Sequence, residues 1–556
     1  MNRIQIGLAD AIVIFGYILF LVLIGIYISK RKSVSGIAAS EDIFLSGRSL
    51  PWYKVGLSIF STNVSPSMLV ASFGAAYSSG MVLANFDWLA WVFLMLLSLL
   101  FIPRYLANNI STMPEFLMKR FGKRSHTFFT YFSMISSLIV WSSFMLCIGG
   151  IVINQLTGVP IYISAILVVV IAMSYSVNGG LSAIVHTGVV QSIVLIAISM
   201  LIFFLGLNKV GGIENLINGV PKEYWQVLKP TNDKVYPWHA MLLGYPVIGI
   251  WFWCTDQTIV QRTLAAKNVD HGQKGTLLIA ALKIVMPILF LVPGIMCLVL
   301  VQNGTFAPLQ NPDHAYISMV YGLLPTGLIG IALGVLLVSI INDVANGLSS
   351  FSTVFAMDVY LKKINPTADA AQVKKVGKRI IILAALVSVM VAVFLSKSDK
   401  GLFDLGQALL TYLAPPASTV FIVGILWKRA TPRAAELTLY IGTFACLSIG
   451  LCQLTGFPSK ELWPHFMLLC FYMMSALVIF MITVSFFTKP HYEIVKLVDQ
   501  NDPVIAKNFS TSNTVKNICN RTEALTPRML TKVRINTIEN AQIELDNGPK
   551  DHTCEK

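Results

Sequence analysis

Ser58-Ile59-Phe60-Ser61-Thr62-Asn63-Val64-Ser65-Pro66-Ser67-Met68 sets a polar break inside an apolar run of membrane length, and this limits the possible folds sharply. A membrane helix must satisfy its backbone internally. Pro66 lacks an N–H and disfavours helical geometry at Ser65, so nearby carbonyls are released. Free carbonyls at membrane depth hold cations, and Asn63 with its hydroxyl neighbours adds side-chain ligands. Secondary transporters use such broken helices to bind ions and solutes near the midplane. A kink healed by a neighbouring helix is the alternative.

The rest of the chain supports a membrane setting. Of 556 residues, 55% are hydrophobic and only 12% charged, with mean hydropathy +0.70, which excludes a set of soluble domains. The formal charge of +14 does not make a nucleic-acid binder, because the bases form no stripe with interleaved aromatics. Six of the eight cysteines lie in apolar segments and none has metal-ligand spacing. No nucleophile, base and orienting group occur together in an apolar span, so an enzyme is not expected.

The run Ala9 to Ile28 is too long for a signal-peptide core and is followed by Lys30-Arg31-Lys32, so it is retained as a helix with its N-terminus outside. Further membrane-length runs lie at about 52–74, 80–103, 125–154, 159–177, 182–207, 239–260, 276–302, 323–358, 378–397, 404–427, 433–453 and 464–487. This predicts an all-α polytopic protein of about thirteen helices. Alternate loops carry the bases, among them Arg104, Lys119, Arg120, Arg262, Lys267, Lys362, Lys363 and Arg429. These loops are the expected cytoplasmic ones, and the C-terminus lies with them.

Five spans after the first break a second is expected if the bundle is an inverted repeat of five plus five. The stretch Gly244-Tyr245-Pro246 through Thr255-Asp256-Gln257 meets that expectation. The organisation that follows is an extra helix and loop (1–50), a first five-helix repeat (51–207), an extracellular loop (208–238), a second repeat (239–427), two added helices (428–487) and a cytoplasmic tail (488–556).

Trp251-Phe252-Trp253-Cys254-Thr255-Asp256-Gln257 running into Val260-Gln261-Arg262-Thr263-Leu264-Ala265-Ala266-Lys267 resembles the sodium/glucose cotransporter branch of the sodium:solute symporter family. So do Thr112-Met113-Pro114-Glu115-Phe116-Leu117, Gly179-Gly180-Leu181-Ser182-Ala183, Met357-Asp358-Val359-Tyr360 and Tyr412-Leu413-Ala414-Pro415-Pro416. The resemblance spans about residues 9 to 487 and implies the LeuT-type architecture, residence in the plasma membrane and import of a small solute coupled to Na+.

Carried over residue by residue, the resemblance implies a solute site of Asn63, Met68, Asp87, Trp253, Lys283 and Gln407, with Phe86, Phe252 and Phe403 as gates. Donors and acceptors at the rim and aromatic faces on the walls suit a sugar or polyol. Met68, Gly249 and Ala90 stand where some relatives carry polar groups, so the particular sugar is left open. An intramembrane lysine is functional by default, though Lys283 has the alternative of pairing with an acid for packing.

The implied sodium site takes the carbonyls of Ser61 and Val64 and side chains on the span 323–358. There the family's hydroxyl pair falls on Asn342 and Asp343, with Ser339 one turn earlier. Spacings of three and four put Ser339, Asn342, Asp343 and Asn346 on one helical face. On the fifth core helix the family pattern Thr-Asp becomes Thr187-Gly188. One acid is gone and another has arrived, which reads as relocation of the site's charge from position 188 to Asp343. The alternatives are that the changes are unrelated and that Asp343 pairs with a base such as Lys283. Proton coupling and a solute sensor that does not transport are the remaining alternatives for function.

Overall fold

The computed structural model describes residues 7–31, 44–64, 66–233, 236–396, 402–457, 459 and 463–489. The side chains of Met68, Phe403 and Gln407 lie outside that description, as does the expected tail beyond 489. Among the described residues, nine helices are long and apolar enough to cross a membrane. Other expected spans are met by shorter apolar helices such as Ile161–Ser174 and Leu410–Leu426 and by two interrupted helices. Large apolar side chains on outward faces, such as Phe394 (75% exposed), Phe444 (75%) and Phe487 (86%), are what a lipid-facing surface requires.

Both expected interruptions are present. The first helix runs Trp52–Asn63, leaves helical geometry at Val64 (φ −81°, ψ 74°), and the chain resumes as Pro66–Ser79. Proline at the first helical position costs nothing there, since that N–H would be unsatisfied in any case. The second interruption lies later than its proline suggests. Pro246 sits inside the helix Trp238–Gly249, which continues as a π-helical stretch Ile250–Thr255. The chain breaks only at Asp256 (φ −69°, ψ 128°), whose carboxylate accepts from the N–H groups of Thr258 and Ile259 and caps Gln257–Leu264.

The helix Leu328–Val354 is the centre of the bundle, buried along most of its length. It packs against Ile161–Val210, Leu8–Arg31 and Ala370–Leu395. Ile161–Val210 is itself two spans, bent where Gly180 takes φ 53° and ψ −151°. That backbone geometry belongs to glycine. Trp52–Asn63 packs on this bent helix and on Val269–Phe290.

Three of the bases assigned above to loops are buried. Arg104 donates to the Leu100 carbonyl, and Arg120 to the carbonyls of Gly424, Trp427, Lys428 and Ala430. Burial pushes Arg120 down to about 10, so it stays charged at neutral pH. Arg262, 1% exposed, points inward to Asn346. Their charge is used to bind backbone and side-chain oxygens.

Candidate functional site

Two polar clusters occupy the interior around the broken helices. In the first, Lys283 on Val269–Phe290 forms an ion pair with Asp87, and both are almost fully buried. This removes Lys283 as the partner of Asp343. The Lys283 ammonium also lies 5.5 Å from the centroid of the Trp253 ring, a cation–π distance. The Trp253 Nε1–H donates to the Tyr245 hydroxyl at 3.3 Å. The Tyr245 ring meets Phe86 edge-on at 5.8 Å. Phe252 packs against Trp253 at 4.9 Å and Trp141 at 5.4 Å.

Asp87, Trp253, Lys283 and Phe86 are thus gathered on one side, as the residue matching implies. Asn63 is buried and its Oδ1 has no hydrogen-bond partner among the described residues. Among the described residues, no hydrogen bond ties Asn63 to the Asp87–Lys283 pair. Gly249 does not open the cavity: a side chain there would begin 2.6 Å from the Phe93 ring, which occupies the space. Tyr245, one turn earlier, is the polar group that sequence reading passed over. Its place next to Pro246 in that stretch was the available signal.

The second cluster joins three elements. On Leu328–Val354, Ser339, Asn342, Asp343 and Asn346 are all buried on one face, as their spacing predicts. From Ile161–Val210, Gln191 donates to Ser339 at 2.5 Å and accepts from Asn342, and Thr187 donates to Asn342 at 3.2 Å. From Trp52–Asn63, Thr62 accepts from Asn346 at 3.1 Å. Ser61 stands 2.4 Å from where a Gly188 Cβ would be, with the Asn342 amide nitrogen 3.9 Å from the same point. Position 188 and Asn342, the neighbour of Asp343, therefore face the same small volume.

Asp343 is the unusual member. It is fully buried, and neither carboxylate oxygen has a hydrogen-bond partner among the described residues. The Arg262 guanidinium acts on it electrostatically, but Arg262 gives its hydrogen bond to Asn346 instead. A buried carboxylate with both oxygens open demands a further partner. An oxygen-ligated monovalent cation would meet that demand, and Ser339 and Asn342 on the same buried helix face offer further oxygens. Gln191 and Arg262 were not read from the sequence as members of this cluster. Gln191 falls one helical turn after Thr187, and that spacing was the signal.

A bundle with two interrupted helices and polar clusters at their breaks is a secondary transporter of the LeuT type. A sequence model of the sodium:solute symporter family matches residues 43–442, and the chain belongs to that family. A sodium/glucose cotransporter of Vibrio parahaemolyticus is 29% identical over 474 residues, covering 81% of this chain and 86% of that protein. Sodium/glucose cotransporter 2 of Rattus norvegicus is 31% identical over 488 residues, covering 80% and 71%. The solved structure of a substrate-bound, outward-open Na+-coupled sialic acid symporter has the same fold. Its TM-score is 0.76 at 22% identity, over 87% of this chain and 99% of that one.

Proposed function

We propose that this protein imports a sugar or related polyol together with sodium, by alternating access in the plasma membrane, with its N-terminus outside and C-terminus in the cytoplasm. The observation that carries the reading is the Asp87–Lys283 pair beside Trp253. Lys283 spends one of its three N–H donors on Asp87, which leaves donors for solute hydroxyls, and the indole offers a flat face for sugar C–H groups. Asn63 and Gln407 extend the hydrogen-bonding rim, Met68 supplies an apolar wall, and Phe86, Phe252 and Phe403 gate it.

The ion takes the second cluster, with Asp343 as its charged ligand, Ser339 and Asn342 beside it, and the Ser61 and Val64 carbonyls completing the set. A helix that ends at Asn63 leaves its last carbonyls without intrahelical donors. The same helix end contributes Asn63 to the solute rim and Ser61 to the ion cluster, which lets each ligand raise the other's affinity. One charge moving down about 100 mV yields about 2.3 kcal/mol, and a tenfold ion gradient about 1.4 kcal/mol. Their sum of about 3.7 kcal/mol supports accumulation of several hundredfold.

Uptake into proteoliposomes across a panel of hexoses, inositols and amino-sugars, with and without a sodium gradient, tests the reading. Sodium-stimulated uptake of at least one member is expected. Absence of ion-dependent uptake across the panel removes the sugar assignment.

A further inference from the structure

Tyr245 stands at the solute cluster with half of its hydrogen-bonding capacity committed. It is 6% exposed and lies next to Pro246, three turns before the break at Asp256. Its hydroxyl oxygen accepts from Trp253 Nε1 at 3.3 Å, and the hydroxyl hydrogen has no acceptor among the described residues. Buried tyrosine hydroxyls normally donate as well as accept. The ring is fixed from two sides, edge-on against Phe86 at 5.8 Å and tilted against Phe93 at 5.8 Å. The Asp87 carboxylate is near enough to act on the hydroxyl electrostatically. One turn further along the helix, Gly249 presents no side chain and Phe93 fills its place. Tyr245 is therefore the polar group that this helix face offers beside the Asp87–Lys283 pair.

We infer that Tyr245 is a specificity-determining residue whose hydroxyl donates to one oxygen of the bound polyol. The inference rests on the polyol reading of the site and deepens it: the preferred solute carries an acceptor at that position. A site built around such a bond discriminates against the analogue that lacks the oxygen.

The test uses the full-length protein in proteoliposomes and three labelled probes, D-glucose, myo-inositol and N-acetyl-D-glucosamine, followed by the monodeoxy analogues of whichever is taken up. Wild type should take one deoxy analogue about tenfold less well than its parent. Tyr245→Phe keeps the ring and loses the hydroxyl. It should take the parent about tenfold less well and no longer distinguish that one analogue, while discriminating the others as before. Retained sodium-dependent tryptophan fluorescence checks that the variant is folded. If the hydroxyl serves only to hold Trp253, Tyr245→Phe weakens parent and all analogues equally, and the assignment is overturned. An unchanged analogue profile overturns it as well. Wild type that takes up none of the three probes overturns the polyol reading and this assignment together.

Discussion

The two interior clusters handle charge in opposite ways. At the solute side, Asp87 and Lys283 neutralise each other within the protein, and what remains for a ligand is a set of leftover donors and acceptors. At the ion side, Asp343 keeps both oxygens open while Arg262, the base that acts on it, is hydrogen-bonded to Asn346. A self-neutralised pair suits a neutral solute, because bringing that solute in changes no charge balance. An open buried carboxylate suits a cation, because the cation supplies the partner that its two oxygens lack. The difference supports the proposed division of solute and ion between the two clusters.

The sharpest way to break this comparison is Asp343→Asn. The substitution keeps shape and removes charge, so a sodium-binding Asp343 should lose about 3 kcal/mol of ion affinity or more, roughly a hundredfold. Uptake measured against sodium at fixed pH, and against pH without sodium, reads the outcome. Full sodium-driven uptake in the variant would make Asp343 a structural acid. Uptake in wild type that follows pH and ignores sodium would make it a proton carrier.

On the stability side the largest effect belongs to Lys283→Ala, which leaves Asp87 buried and unpaired at about 3–5 kcal/mol. Thermal unfolding in detergent should show a large fall in Tm. The double variant Asp87→Asn/Lys283→Met should recover most of that stability yet not recover uptake. Recovery of both would mean that the pair is internal packing and that the solute binds elsewhere.

Much of this contrast was legible in the sequence. A polar face at three- and four-residue spacing, an intramembrane lysine and two interruptions five spans apart are visible along one strand of text, because each follows from local helical geometry. What joins across helices was not. The contacts of Gln191 with Ser339 and of Arg262 with Asn346 depend on the register of one helix against another, and a single sequence does not encode that register in any local pattern. The stretch Gly244 to Gln257 does hold the second break. Within it the break falls at Asp256, which ends the helix by supplying two backbone N–H groups with an acceptor, whereas the missing N–H of Pro246 is tolerated inside a packed helix.

The smallest effect sharpens the idea that charge has moved from position 188 to position 343. Gly188→Ala would put a Cβ 2.4 Å from Ser61 Oγ, which is far inside contact distance. The Ser61 hydroxyl donates to the Ser58 carbonyl at 2.9 Å, so it must give up that bond or push the end of its helix aside. Overpacking of this kind costs about 1–3 kcal/mol. In Ser61→Ala the Oγ is gone and the next atom, Ser61 Cβ, lies 3.3 Å from the new methyl, a tight contact that a few tenths of an ångström relieves. The pair Ser61→Ala/Gly188→Ala should then be about 1 kcal/mol less destabilised than the two single changes added together. The decisive readout is sodium affinity beside Tm. If the space between positions 188 and 61 belongs to the ion site, Gly188→Ala weakens sodium activation severalfold and Ser61→Ala restores it. If Tm follows this pattern and sodium activation stays flat in all three variants, the small side chains here serve helix packing alone, and the acid at 343 was gained independently of the one absent at 188.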